Sequence, residues 1–424
     1  MKKLLFLLAI LVFMLAACQK AEPPGDMVAN QPDADLIEPD NNLTSAIPSE
    51  PPKEYSYKIG IYTDMHADEP ESISMLKAEE QYKNRIYMQY AAYLPDTYTM
   101  PEQEVLVNEA LQFITDNKIN VLLFITAGYM YEPADFLKTL KEYSPDTFYI
   151  AIYCYPWRLA SGVDDRLMDY ADLELSTDQK ATAVKAVEKA RQMGAATCLD
   201  YTFRDNRYRD SDSALSYIES RILPEIREII KAECVKQDME YVDVLMMDPA
   251  SDLGGGPGVG VNFNTYSVEK EIPKYGHNFC VLSSICDITF RGLSAKCIIV
   301  HLCHPSLFHV RWKDYMYGIV DNKNHFGDLE WTIEQMKAEL EKKGMSGRFA
   351  TWRVPFPMAA VSAAVEYAID YCEGSIKSKD DLEAMRECFQ KSMEMYNAGD
   401  IGFELNRDPE HENHFMFTED YIVF

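Results

Sequence analysis

The sequence predicts an α/β protein: two Rossmann-like lobes with parallel sheets, joined by a hinge. Three observations carry this. Short apolar runs such as Asn120-Val-Leu-Leu-Phe-Ile-Thr126 and Thr147-Phe-Tyr-Ile-Ala-Ile-Tyr153 alternate with segments of helical periodicity. That alternation marks parallel strands covered on both faces. The pattern then restarts after Ser176, giving two successive α/β sets. Finally, 424 residues suit two or three domains, at ~100–200 residues each.

Lys58-Ile-Gly-Ile-Tyr-Thr-Asp64 reads as the first strand. Gln81 to Tyr93 reads as helix, and Glu102 to Asn117 as an amphipathic helix with Val105, Val107, Ala110, Leu111 and Ile114 apolar. Strands are expected at 120–126, 147–153 and 172–176, with a helix at 134–143. The second set opens with a helix over 179–193, capped by Thr177 or Asp178 and ended by Gly194. Strands follow at 196–203, 241–247, 278–285 and 296–301. A long helix over 214–236 contains Pro224, a candidate kink. Next come a helix at 329–343, a strand at 349–354, and helices at 358–371 and 380–395. From Asn397 the chain reads as polar and irregular, apart from Tyr421-Ile-Val-Phe424; His411 and His414 read as solvated.

The N-terminus is a separate signal. Lys2 and Lys3 precede an apolar run from Leu4 to Leu15, and Leu15-Ala-Ala-Cys18 follows. The run is too short for a permanent membrane span and suits a signal peptide. Small residues before Cys18 look like a bacterial lipobox, which implies lipidation (palmitate among the chains) and cleavage before Cys18. Residues 19–56 hold seven of the 21 prolines and little that packs, so they read as a tether. The expected organisation is a signal peptide at 1–17, a lipidated Cys and linker at 18–56, a first lobe at 57–177 plus 350–395, a second lobe at 178–349, and a C-terminal tail at 396–424. The expected location is the outer face of the cell membrane.

Lys and Arg number 41 against 68 Asp and Glu, a net charge of -27. This argues against nucleic acid as a partner, which demands a positive footprint. Of ten cysteines, Cys198, Cys280 and Cys297 lie inside apolar runs, where a free thiol packs as a small core residue.

A lipobox, a Pro-rich tether and two sequential α/β lobes resemble the lipoprotein form of type I periplasmic binding proteins. The stretch Asp178-Gln-Lys-Ala-Thr-Ala to Phe203 resembles the helix and strand that begin the second lobe there. Gly347-Arg-Phe-Ala-Thr-Trp-Arg-Val-Pro355 resembles the returning strand. In more detail the chain is similar to an uncharacterised family of Firmicutes lipoproteins of that fold. The resemblance implies a solute-binding protein that closes on a small polar ligand, without a cofactor or catalysis, and docks to an ABC permease or a membrane sensor.

Ligands of open parallel sheets sit beyond the carboxyl ends of strands. Asp64 and His66 follow the first strand, Tyr129 the third, and Trp157 and Arg158 the fourth. A Trp ring stacks on a flat ligand, and an Arg fork grips a carboxylate or hydroxyls. Arg204 and Asp205 follow the first strand of the second lobe, in a run with three arginines that either attract an anion or pair with the acids beside them. The Gly-rich loop 248–260 lacks the Lys-Ser/Thr ending of a phosphate loop. Cys286, Asp287 and His301 follow later strands, while Trp352 and Arg353 belong to the returning strand near the hinge. His301, Cys303 and His304 are weak candidates for a soft-metal site, since their spacing matches no zinc pattern. No GxSxG or HExxH occurs.

Overall fold

A computed structural model of the chain describes residues 57–63, 74, 77–78, 80–82, 87–92, 103–126, 133–153, 167–203, 222–246, 268–283, 294–301, 325 and 328–424. Residues 55–424 form one compact unit.

The strands are β1 (Lys58–Thr63), β2 (Tyr87–Ala92), β3 (Val121–Thr126), β4 (Phe148–Tyr153), β5 (Leu173–Thr177), β6 (Thr197–Phe203), β7 (Glu240–Met246), β8 (Phe279–Ser283), β9 (Ile298–His301), β10 (Phe349–Thr351), β11 (Phe403–Arg407), β12 (His414–Glu419) and β13 (Ile422–Val423). The main helices are α1 (Gln103–Asn117), α2 (Pro133–Tyr143), α3 (Gln179–Gln192), α4 (Ile222–Lys236), α5 (Leu329–Lys342), α6 (Phe356–Cys372) and α7 (Leu382–Met395). The first sheet has the order β11-β12-β5-β4-β3-β1-β2 and the second β13-β10-β9-β8-β6-β7. All pairings are parallel except the edge pairs β11–β12 and β10–β13. The molecule therefore has the two-lobe α/β architecture that the sequence predicts.

The apolar runs become central strands for the expected reason. Val121 to Ile125 and Phe148 to Ile152 are all buried, because helices cover both faces of the first sheet. Gly60 of β1 is required by close packing: a Cβ there would come within 2.8 Å of the Phe113 ring and 3.0 Å of Ile119. Asp178, Asp328 and Asp381 each accept a backbone N–H of the first turn of the helix that follows, a cap that contributes ~1 kcal/mol. α6 is buried from Phe356 through Ile369. A helix apolar all round must lie inside the protein, and α6 lies between the first sheet and α7.

Two expectations need correction. Of the helix read over 81–93, Gln81 and Tyr82 are helical, but Tyr87 to Ala92 is instead β2, because pairing with β1 outweighs local helical propensity. Pro224 belongs to α4. It lies in the first turn, where its missing N–H costs nothing; residues 214–221 lie outside the described set. The supposed irregular tail supplies β11 and β12 to the first sheet and β13 to the second. Its short strands find their partners far away in sequence: β12 pairs with β5, and β13 with β10.

Candidate functional site at the hinge

The chain passes between the two sheets three times. It leaves β5 at Thr177 and enters α3, which packs on β8 and β9. It returns from β10 at Thr351 into α6, which packs on β3 and β4. It crosses again between Glu419 of β12 and Ile422 of β13. Every crossing begins at the carboxyl end of a strand: β5 and β12 in the first sheet, β10 in the second. Since the neighbouring strands are parallel, the carboxyl ends of both sheets lie on the side each lobe presents to the other.

From these ends, β1, β3, β4, β6, β7, β8 and β9 lead directly into residues outside the described set. Asp64, His66, Tyr129, Trp157, Arg158, Arg204, Asp205, Cys286 and Asp287 belong to those segments and lie outside it. Cys303, His304 and Cys18 do so as well. Of the sequence-predicted residues, His301, Trp352 and Arg353 are described. His301 ends β9 and is buried, one residue past Val300, the partner of Ala350 in β10. Trp352 and Arg353 follow β10 directly. These three therefore gather at the carboxyl edge of the second sheet. Among the described residues, no group of three His, Cys, Asp or Glu side chains is placed to hold a metal.

The hinge is dense in polar contacts. The Asp178 N–H donates to the Phe417 carbonyl at 2.7 Å, tying the first crossing to β12. The amides of Arg353 and Val354 donate to Glu419 Oε1 at 2.8 and 3.3 Å, tying the second crossing to the third. The Arg353 guanidinium meets Glu330 of α5 through Nη2. The Trp352 ring stands edge-on against Phe417, centroids 5.7 Å apart. Lys185 of α3 bridges Asp420 at 2.8 Å and Glu404 at 3.0 Å. Three buried polar atoms here have no partner among the described residues: Trp352 Nε1, Arg353 Nε and Glu419 Oε2. Burial pushes the Glu419 carboxyl up to about 8, against the pull of the two amides and of Arg353.

A second polar cluster lies at the opposite end of β12. His414 is 3 % exposed, contrary to the solvated reading. Its Nε2 is 2.7 Å from Ser176 Oγ and its Nδ1 3.2 Å from Asp408 Oδ2. Glu174 Oε1 is 3.7 Å from Nε2. Desolvation lowers the His414 pKa despite Asp408, which favours the neutral ring. The distances match a nucleophilic Ser-His-Asp relay, but Ser176 is also only 3 % exposed. It lies inside a strand paired with β12, where amides serve the ladder rather than a developing oxyanion. The cluster pins the C-terminal hairpin to β5. Its sequence signal was the apolar run Phe415-Met-Phe417 between His414 and Thr418.

The six described cysteines are all free thiols, and five are buried. Burial pushes Cys297 to about 12, leaving it inert. No helix among the described residues is long and apolar enough to cross a membrane.

The fold has solved counterparts. A Clostridium difficile 630 protein provisionally assigned as a transcriptional regulator aligns with a TM-score of 0.65 at 15% identity, covering 87% of this chain and 99% of that one. A sugar ABC transporter structure from Actinomyces odontolyticus ATCC 17982 aligns at 0.45 and 11%, covering 77% and 86%. A periplasmic ribose ABC transporter structure from Conexibacter woesei DSM 14684 aligns at 0.45 and 12%, covering 76% and 88%. At 15% identity the likeness to the Clostridium difficile 630 protein is one of fold alone. No curated protein matches in sequence. A family profile does match, over residues 57–350, and by it the chain belongs to the DUF3798 family, proteins of unknown function.

Proposed function

We propose that this chain is an extracytoplasmic solute-binding protein that captures a small polar ligand between its lobes by hinge closure. One observation carries the reading: three crossings join two parallel-sheet lobes whose strand carboxyl ends face each other. Parallel α/β sheets bind ligands beyond those ends, and lobes joined by short crossings close by hinge bending. In this reading Trp352 and Arg353, which follow β10, and His301, which ends β9, belong to the contact set. Asp64, His66, Tyr129, Trp157, Arg158, Arg204, Asp205, Cys286 and Asp287 complete the proposed contact set. Aromatic area and a few placed charges are what such a pocket requires. Lipid on Cys18 would hold the protein at the membrane, and the closed form would dock to an ABC-type permease.

A thermal-shift screen of residues 19–424 with Cys18 replaced tests this. Sugars, nucleosides, amino acids, peptides and metal ions are each tried with and without chelator. A ligand at 100 times its dissociation constant adds ~2.7 kcal/mol, so one chemical class stands out if the reading holds. Arg158→Ala and Arg204→Ala each abolish that shift without unfolding the protein. Binding that persists in both variants removes them from the site, and a screen flat across every class removes solute capture.

A further inference from the structure

Glu419 is the last residue of β12 and stands where the chain leaves the first lobe for the second. It is fully buried. One carboxyl oxygen takes both amides of the returning crossing, while the other has no partner among the described residues. An ionised carboxylate half-satisfied in a dry site costs far more than the neutral acid does.

The surrounding charges relieve it only in part, since Arg353 favours the ionised form while Asp420 opposes it. From the second crossing comes Arg353, whose guanidinium is engaged by Glu330 of α5 and whose Nε has no acceptor among the described residues. From the chain just after β12 comes Asp420, held by Lys185 of α3, and the same Lys185 also meets Glu404 of β11. Asp178, at the start of α3, is spent on its own helix. Each nearby cation is thus committed to another carboxylate. Glu419 and Arg353 are joined only through a backbone amide, although both occupy the hinge.

We propose that Glu419 is a proton-controlled latch of the hinge. As the neutral acid it clips the second crossing to the third. On losing its proton it turns toward water or the Arg353 guanidinium, and the angle between the lobes changes. The carboxyl O–H bond breaks, and the proton goes to solvent. The raised affinity of this carboxyl for its proton supports the latch, but its basis is the placement of a half-satisfied acid at the point where two crossings meet. The proposal rests on the reading of two lobes that move about these crossings, and it does not depend on any ligand.

The experiment measures the distance between the lobes on the full chain in detergent, across pH 6 to 10. Spin labels are introduced as ketone-bearing residues at Tyr143 and Val235, which are 73% and 78% exposed and lie on helices of different lobes. The expected result is a change in the distance distribution with a midpoint near 8 in the native chain, and none in Glu419→Gln. A native distance flat with pH, or the same transition in Glu419→Gln, overturns the latch. Should that variant fail to fold, infrared spectroscopy of the native chain decides. The band of a protonated carboxylic acid must vanish with the same midpoint as the distance change, and a different midpoint overturns the proposal. A ligand screen without hits alongside a proton-linked distance change would refute solute capture and leave the latch standing.

Discussion

The two ends of β12 carry buried titratable groups in opposite states of completion. At its start, His414 is bonded on both ring nitrogens, to Ser176 and to Asp408. At its end, Glu419 has one oxygen occupied by two amides and the other by nothing among the described residues. The first cluster lies within one lobe and fixes a hairpin to a sheet. The second joins two crossings between lobes. A fully satisfied polar network rigidifies what it holds, whereas a partly satisfied one is high in energy and close to a change of state. The comparison places rigidity within the lobe and convertibility at the hinge.

The sharpest way to break this comparison is to remove His414. His414→Ala leaves Ser176 Oγ and Asp408 Oδ2 without their partner and opens a cavity. We expect a loss of ~3 kcal/mol in denaturant unfolding, at ~1–3 kcal/mol per stranded buried group. A loss no larger than that of a surface substitution would show that the cluster does not hold the hairpin.

The next effect is on pH dependence, where the two groups act in opposite directions. Glu419 has its folded value raised to about 8, so the native state keeps a proton that the unfolded chain has already lost. Stability is therefore greatest in and below the ordinary carboxylate range. It falls as pH rises toward 8, by roughly 1 kcal/mol per unit. Glu419→Gln removes that slope. His414 has its folded value lowered from 6.5, so its contribution is present at neutral pH and lost on acidification below that value. His414→Gln removes that acid-side loss, and pH-resolved unfolding of both variants separates the slopes.

The smallest effect belongs to Lys185. Its partners Asp420 and Glu404 are more than half exposed, so solvent screens the pairs. Lys185→Met should cost under ~1 kcal/mol, and less still in high salt. A larger, salt-independent loss would make this pair part of the hinge's rigid framework.

Much of the fold was legible because it was local. Runs such as Val121-Leu-Leu-Phe-Ile125 announce buried parallel strands whatever surrounds them, and Asp178 announces a helix start. The elements that escaped depend on distant partners. Tyr87-Met-Gln-Tyr-Ala-Ala92 is a strand because β1 lies beside it. β11 buries only Leu405, and looks polar until β12 is paired with β5. At the hinge, Trp352 and Arg353 stood out by resemblance as part of the returning strand, although they follow β10. Glu419 did not, since one acid in Thr418-Glu-Asp420 carries no signal in a chain with 68 acids. Its burial exists only once three crossings converge.

The most direct test of capture by closure is the Tyr143-to-Val235 distance while sugars, nucleosides, amino acids and peptides are added one class at a time. The account predicts that one class shortens and narrows the distribution, with a parallel rise in thermal stability. A distance unchanged by every class, or a stabilising ligand that leaves the lobes where they were, would contradict it.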